Sequence, residues 1–161
     1  MNSPYSAYSD EPTGSFAYPL LYNTVYCSRA TAGVDAAVVE SIIKSSHRNN
    51  PEYGITGLLV FGSGIFFQWL EGPRDNVISL MERLKTDPRH ENVVLLTESE
   101  EVRERLFPDW AMELVTTTDI RDVLQDALDT ASDEKNAAVL KDLLARLNAG
   151  GIGSMGSLDE R

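Results

Sequence analysis

The chain has 161 residues, enough for one domain of ordinary size and a short extension. Its hydrophobic share of 42% and charged share of 24% are those of a soluble globular protein. A formal net charge of −11 excludes a phosphate-backbone binder, which needs a basic surface. No apolar run approaches the ~20 residues that span a bilayer, and Met1–Tyr18 lacks the basic and apolar regions of a signal peptide. The single cysteine, Cys27, rules out an internal disulfide and fits a reducing cytoplasm. With only His47 and His90, a zinc site built by the protein is not expected.

Residues 1–18, rich in Ser, Tyr, Pro and Gly, read as a flexible segment. Leu20–Ser28 is aromatic and β-branched and predicts a strand, its period of two putting Thr24, Tyr26 and Ser28 on one face and Val25 and Cys27 on the other. Asp35–Asn50 predicts a helix with Val38, Val39, Ile42 and Ile43 as its buried stripe and Pro51 as its stop. The same stripe continued reaches Ser46, Asn49 and Asn50, so a core-facing surface ends in two amides.

Gly54–Gly72 contains two apolar runs of strand length separated by Gly-Ser-Gly, a hairpin signal. The second run, Ile65–Leu70, is aliphatic and aromatic apart from Gln68. A strand that apolar is buried on both faces. An amide there needs about four hydrogen-bond partners or costs a few kcal/mol in desolvation. From Pro73 a helix is predicted to about Thr86, with Val77, Ile78, Met81 and Leu84 inward. Asn76, Leu80, Arg83 and Asp87 form a second stripe, with Arg83 and Asp87 spaced as an i, i+4 ion pair. Glu91–Glu98 predicts a fourth strand and Glu100–Pro108 a charged connection. Trp110–Val115 predicts a fifth strand with Trp110, Met112 and Leu114 on one face. Asp119–Thr130 and Asp133–Asn148 predict two amphipathic helices, and Gly150-Gly151 is expected to end the second before a flexible tail.

The order β-α-β-β-α-β-β with two further helices is that of an α+β, ferredoxin-like sheet carrying two helices on one face, plus two C-terminal helices. Right-handed crossovers set strand 1 beside strand 3, expected to run parallel. Tyr26 and Gln68 then become neighbours beneath a cleft between the helices, lined also by Asn49, Asn50, Arg83 and Asp87. Each residue has a plainer reading taken singly. Tyr26 can be a core tyrosine, Gln68 a buried structural amide, Asn49-Asn50 helix-end chemistry, Arg83/Asp87 a solvated pair, and Trp110 and Met112 core. Cys27 reads as packing. His90, next to Arg89, reads as surface, with an approach to a cofactor's ribityl or phosphate as the alternative, and Arg29 as a weak phosphate candidate. The leucine stripe of the last helix (Leu140, Leu143, Leu144, Leu147) can cover the open face of the sheet or meet another subunit.

The run NNPEYGITGLLVFGSGIFFQWLEGP, with VYCSRAT upstream and DPRHENV and FPDWAMEL downstream, resembles the BLUF domain, a blue-light sensor that uses FAD. The resemblance covers roughly Leu20 to Val115 and implies a division into a flexible segment 1–18, a flavin-binding domain 19–116, a helical extension 117–149 and a tail 150–161. It makes Tyr26 the photoactive tyrosine and Gln68 the switching glutamine. Asn50 and Asn49 become flavin contacts, with Arg83 and Asp87 as polar contacts from helix 2. Trp110 and Met112 become relay residues on strand 5. It also implies light-driven electron and proton transfer from Tyr26 through Gln68 to the flavin. The signal would pass by strand 5 and the C-terminal helices to a separate cytoplasmic effector, in a homo-oligomer without nucleic acid or membrane. Two other classes compete. A flavin enzyme would need a nucleophile–base pair or a nicotinamide fingerprint, and neither is evident. A cofactor-free ferredoxin-like interaction module would purify colourless.

Overall fold

The computed structural model describes residues 19–131 and 134–156, with 150–156 as backbone only. Its elements in chain order are β1 (Leu20–Ala30), α1 (Ala36–Tyr53), β2 (Thr56–Gly62), β3 (Ile65–Gly72), α2 (Arg74–Lys85), β4 (His90–Val102), β5 (Glu113–Val115), α3 (Ile120–Thr130) and α4 (Glu134–Gly156). They build the expected α+β arrangement, a five-stranded sheet in the order β4-β1-β3-β2-β5. The expected flexible segment 1–18 and residues 157–161 of the expected tail lie outside the described residues.

β1 lies beside β3 as expected, but antiparallel to it. The expectation of a parallel pair overlooked that the β2–β3 hairpin reverses the chain. The crossover makes β2 parallel in sense to β1, and β3 then runs back between them. The hairpin turn is Ser63-Gly64, with φ of 55° and 74°. Both central residues are left-handed, as a two-residue turn matched to strand twist requires.

Alternation along the strands divides the apolar residues into two cores. Tyr22, Tyr26, Leu59, Phe66 and Leu70 face α1 and α2, where Val39, Val77 and Met81 meet them. Val25, Cys27, Leu58, Val60, Phe67 and Trp69 face the other way, against Ile120 and Leu124 of α3 and Leu140, Leu143, Leu144 and Leu147 of α4. The leucine stripe therefore covers the second face of the sheet. Each fully buried leucine is worth about 1.5–3 kcal/mol, so α4 is part of the fold rather than an appendage.

Four boundaries differ from the sequence reading. Pro51 lies inside α1, which continues to Tyr53 and ends on Gly54 in the left-handed conformation (φ 68°). A proline this close to the end sacrifices little more than one backbone bond, so the glycine decides the stop. β4 is longer than Glu91–Glu98 because β1 pairs with it as far as Leu20↔Val102, absorbing part of the charged connection. The fifth strand shortens to Glu113–Val115, parallel to β2. α4 continues through Gly150-Gly151 to Gly156, since glycine costs a helix interior only about 1 kcal/mol relative to alanine.

Candidate functional site

Tyr26 and Gln68 are direct register partners on β1 and β3, both on the face covered by α1 and α2. The Tyr26 hydroxyl donates to Gln68 Oε1. Tyr26 is 0% and Gln68 5% exposed. Burial pushes the Tyr26 phenol far above its ordinary range, and the Asp87 carboxylate adds to the effect. The phenol is therefore neutral at rest and holds its proton on the bond to Gln68. The amide nitrogen of Gln68 donates to Met112 Sδ at 3.3 Å. A thioether is a weak acceptor, so this amide has a firm bond at its oxygen and a loose one at its nitrogen.

α1 delivers two further groups to the segment carrying Met112. Asn50 Nδ2 donates to the Ala111 carbonyl at 2.6 Å, and His47 Nε2 lies 2.7 Å from the Met112 carbonyl. Asn50 is buried, whereas Asn49 is exposed and reaches only Ser45 Oγ at 3.3 Å. On the other side, the turn after α2 does not hold the expected Arg83–Asp87 pair. Asp87 is taken by Arg89, at 2.6 and 2.9 Å through the guanidinium and 2.9 Å through the backbone N–H, while Arg83 is exposed. Asp87 lies beyond the end of α2, so helical i, i+4 geometry does not apply to it. The Arg89 hydrogen bonds hold the Asp87 carboxyl below its usual range, and Asp87 in turn raises Arg89.

His90 is also buried rather than on the surface. Its Nδ1 sits 2.7 Å from Ser28 Oγ, its ring edge meets Tyr26 at 6.1 Å, and Phe66 lies at 4.5 Å. Burial lowers its pKa. Sequence reasoning placed Arg89 and His90 on the surface, with an approach to a cofactor only as the alternative, although Asp-Pro-Arg is a turn signal in which an aspartate caps the backbone two residues on. Cys27 points to the opposite core, where burial raises its thiol to about 12. Among the described residues no group of three His, Cys, Asp or Glu is placed to hold a metal ion.

Trp110 and Met112 part company. Met112 is fully buried on the α1/α2 side beside Gln68. Trp110 packs into the opposite core and stacks on Phe107 at 5.1 Å with an 8° interplanar angle. The shared face expected for Trp110, Met112 and Leu114 fails because only Glu113–Val115 is strand, so the period of two does not extend back to Trp110.

A flat apolar ring with one hydrogen-bonding edge fits this donor set. Val39, Val77, Met81 and Phe66 supply apolar surface on the α1/α2 face of the sheet, Gln68 brings a loosely held amide nitrogen, and Asn50 and the Asp87–Arg89 pair bring polar groups from the ends of α1 and α2. A family model described as "Sensors of blue-light using FAD" matches residues 21–113, more than half of the chain. The chain belongs to the BLUF family. Photoactivated adenylate cyclase subunit beta of Euglena gracilis is 34% identical over 97 residues, 60% of this chain and 11% of that protein. The blue light- and temperature-regulated antirepressor BluF of Escherichia coli K12 is 31% identical over 120 residues, 71% of this chain and 29% of that protein. Among solved structures, the dark state of the BLUF protein BlrB aligns with a TM-score of 0.61 and 29% identity, covering 78% of this chain and 96% of that one. The chain thus spans only a small part of the curated relatives it matches. Its BLUF domain is a flavin-based blue-light sensor module.

Proposed function

We propose that this BLUF chain is a blue-light photoreceptor in which Tyr26 and Gln68 form the switch and FAD is the flavin. The reading is carried by one observation: a buried phenol donates to a buried amide whose other end rests on a weak acceptor. Bound FAD supplies blue absorption and, when excited, a strong oxidant. Tyr26 would be the electron and proton donor, its proton leaving Oη along the bond to Gln68 Oε1, and both electron and proton would return to Tyr26 on recombination. Gln68 then rotates or tautomerises, exchanging the groups it presents to Tyr26 and to Met112. Asn50 and the Asp87–Arg89 pair hold the polar edge of the ring, with Arg89 taking the part that the sequence assigned to Arg83. Asn49, exposed at the helix end, contributes at the rim. The buried phenol stays neutral in the dark and rests on Gln68 Oε1.

The receiver is a separate effector, and the chain acts in the cytoplasm as a homo-oligomer that binds neither nucleic acid nor membrane. No described helix is long and apolar enough to cross a membrane. The test is to purify the chain, identify the released flavin, and illuminate the loaded protein. FAD together with a small red shift that reverses in the dark supports the reading. A flavin that is permanently bleached or consumes substrate points to an enzyme, and a colourless protein to an interaction module.

A further inference from the structure

Glu71 is a buried charge that the switch does not use. It lies on β3, three residues beyond Gln68, and alternation turns it towards the core beneath α3 and α4. Its exposure is 0%, and its partner Arg103 is 3% exposed. The carboxylate takes three donors from one segment: Arg103 Nη1 at 3.0 Å, Leu106 N at 2.8 Å and Phe107 N at 3.0 Å. Beside it, Arg105 Nη1 donates to Thr56 Oγ1 at 2.9 Å. A buried ion pair is a weak source of stability, because well-packed apolar residues of similar volume are often as good or better. What the carboxylate adds is directional: it fixes two consecutive backbone N–H groups and a guanidinium to one point of β3.

The same segment is held at its far end by the switch. Gly57 N donates to the Trp110 carbonyl at 2.9 Å, Asn50 to Ala111, and Gln68 to Met112. Between the ends, Phe107 stacks on Trp110 and meets Trp69 edge-on at 5.8 Å. Near the start, the Glu104 carbonyl accepts from Asn136 Nδ2 of α4 at 3.2 Å. Asn136 is itself only 3% exposed. A continuous path of bonds and stacked rings therefore runs from Gln68 to α4 without passing through β5.

We propose that Arg103–Met112 is a strap carrying the Gln68 rearrangement to α4 through Asn136, with Glu71 as the positioning residue on which it pivots. The proposal rests on the photoswitch reading and deepens it by naming the route of output. When Gln68 alters its bond to Met112, the strap shifts at that end and turns about Glu71, which grips it through the Arg103 side chain and the Leu106 and Phe107 backbone. The displacement then appears at Glu104, where Asn136 feels it. A carboxylate accepting from three donors, one of them charged, is a stiffer pivot than any neutral group.

The experiment is hydrogen exchange on the FAD-loaded full chain, dark against continuous blue light, read over residues 134–148, with the flavin spectrum recorded on the same samples. Wild type is expected to show a light-induced exchange difference in this helix. Asn136→Leu and Glu71→Gln are each expected to keep the flavin red shift and lose that difference. A merely structural role for these residues would lower the melting temperature and leave the light-minus-dark difference in place, so persistence of the difference in either folded variant overturns the proposal. Asn136→Leu leaves the sheet untouched and keeps the test decisive if Glu71→Gln does not fold. A wild-type red shift without any change over 134–148 overturns the strap alone. Absence of the red shift in wild type overturns the photoswitch reading and the strap with it.

Discussion

Removing one half of the Tyr26–Gln68 pair should cost more than removing both. Gln68→Leu leaves the Tyr26 hydroxyl buried at 0% exposure without its acceptor. An orphaned buried hydroxyl costs about 1–3 kcal/mol. Tyr26→Phe leaves Gln68 Oε1 without its donor, at a similar cost of about 1–3 kcal/mol. The double variant removes donor and acceptor together, and matched apolar replacement is nearly neutral. A double-mutant cycle should therefore return a coupling of about 2–6 kcal/mol, the sum of the two single losses and at or beyond the upper end of what contacting residues show. The assay is urea unfolding of the flavin-free chains, so that differences in ligand affinity do not enter. Additive losses, with a coupling of about zero, would refute the claim that the two side chains form one buried hydrogen-bonded unit.

Three further outcomes are expected. Arg89→Ala should weaken flavin retention, measured as the bound fraction after gel filtration, by about tenfold in affinity for one lost charge-assisted bond; Arg83→Ala should leave it unchanged, and the reverse order would restore the original assignment. His90 has a folded pKa lowered chiefly by burial, so the unfolded chain takes up its proton first as pH falls. Stability should therefore decline from pH ~6.5 downward towards the depressed value, and His90→Phe should flatten that slope in denaturation series between pH 7 and 5; an unchanged slope counts against a buried neutral imidazole. Arg103→Met strands the Glu71 carboxylate and should cost about 3–5 kcal/mol in urea unfolding, most of it recovered by adding Glu71→Leu.

The sheet and its two inner helices were legible because periods of 2 and 3.6 are written directly into Leu20–Ser28, Val38–Ile43 and Ile65–Leu70. Gln68 was legible as a polar exception in an apolar strand, and topology then supplied Tyr26. Glu71 is the same kind of exception in the same wholly buried strand, but at the end of a run it resembles a solvated strand terminus. Its burial depends on the Arg103–Phe107 segment folding back over it, a contact 32–36 residues distant that no local pattern encodes. The expected Arg83–Asp87 ion pair did not form because helix spacing was carried one turn too far, past Lys85. Trp110 and Met112 were separated by an irregular segment that strand alternation could not describe. In each instance local periodicity holds inside an element and fails at its ends, where tertiary partners decide.

The central claim is that Gln68 is the switch. It is tested most directly by the light-minus-dark absorption spectrum of the FAD-loaded chain, comparing wild type with Gln68→Leu. Wild type is expected to show a reversible red shift. Gln68→Leu is expected to bind the flavin and show none. A normal red shift in the leucine variant would contradict the account.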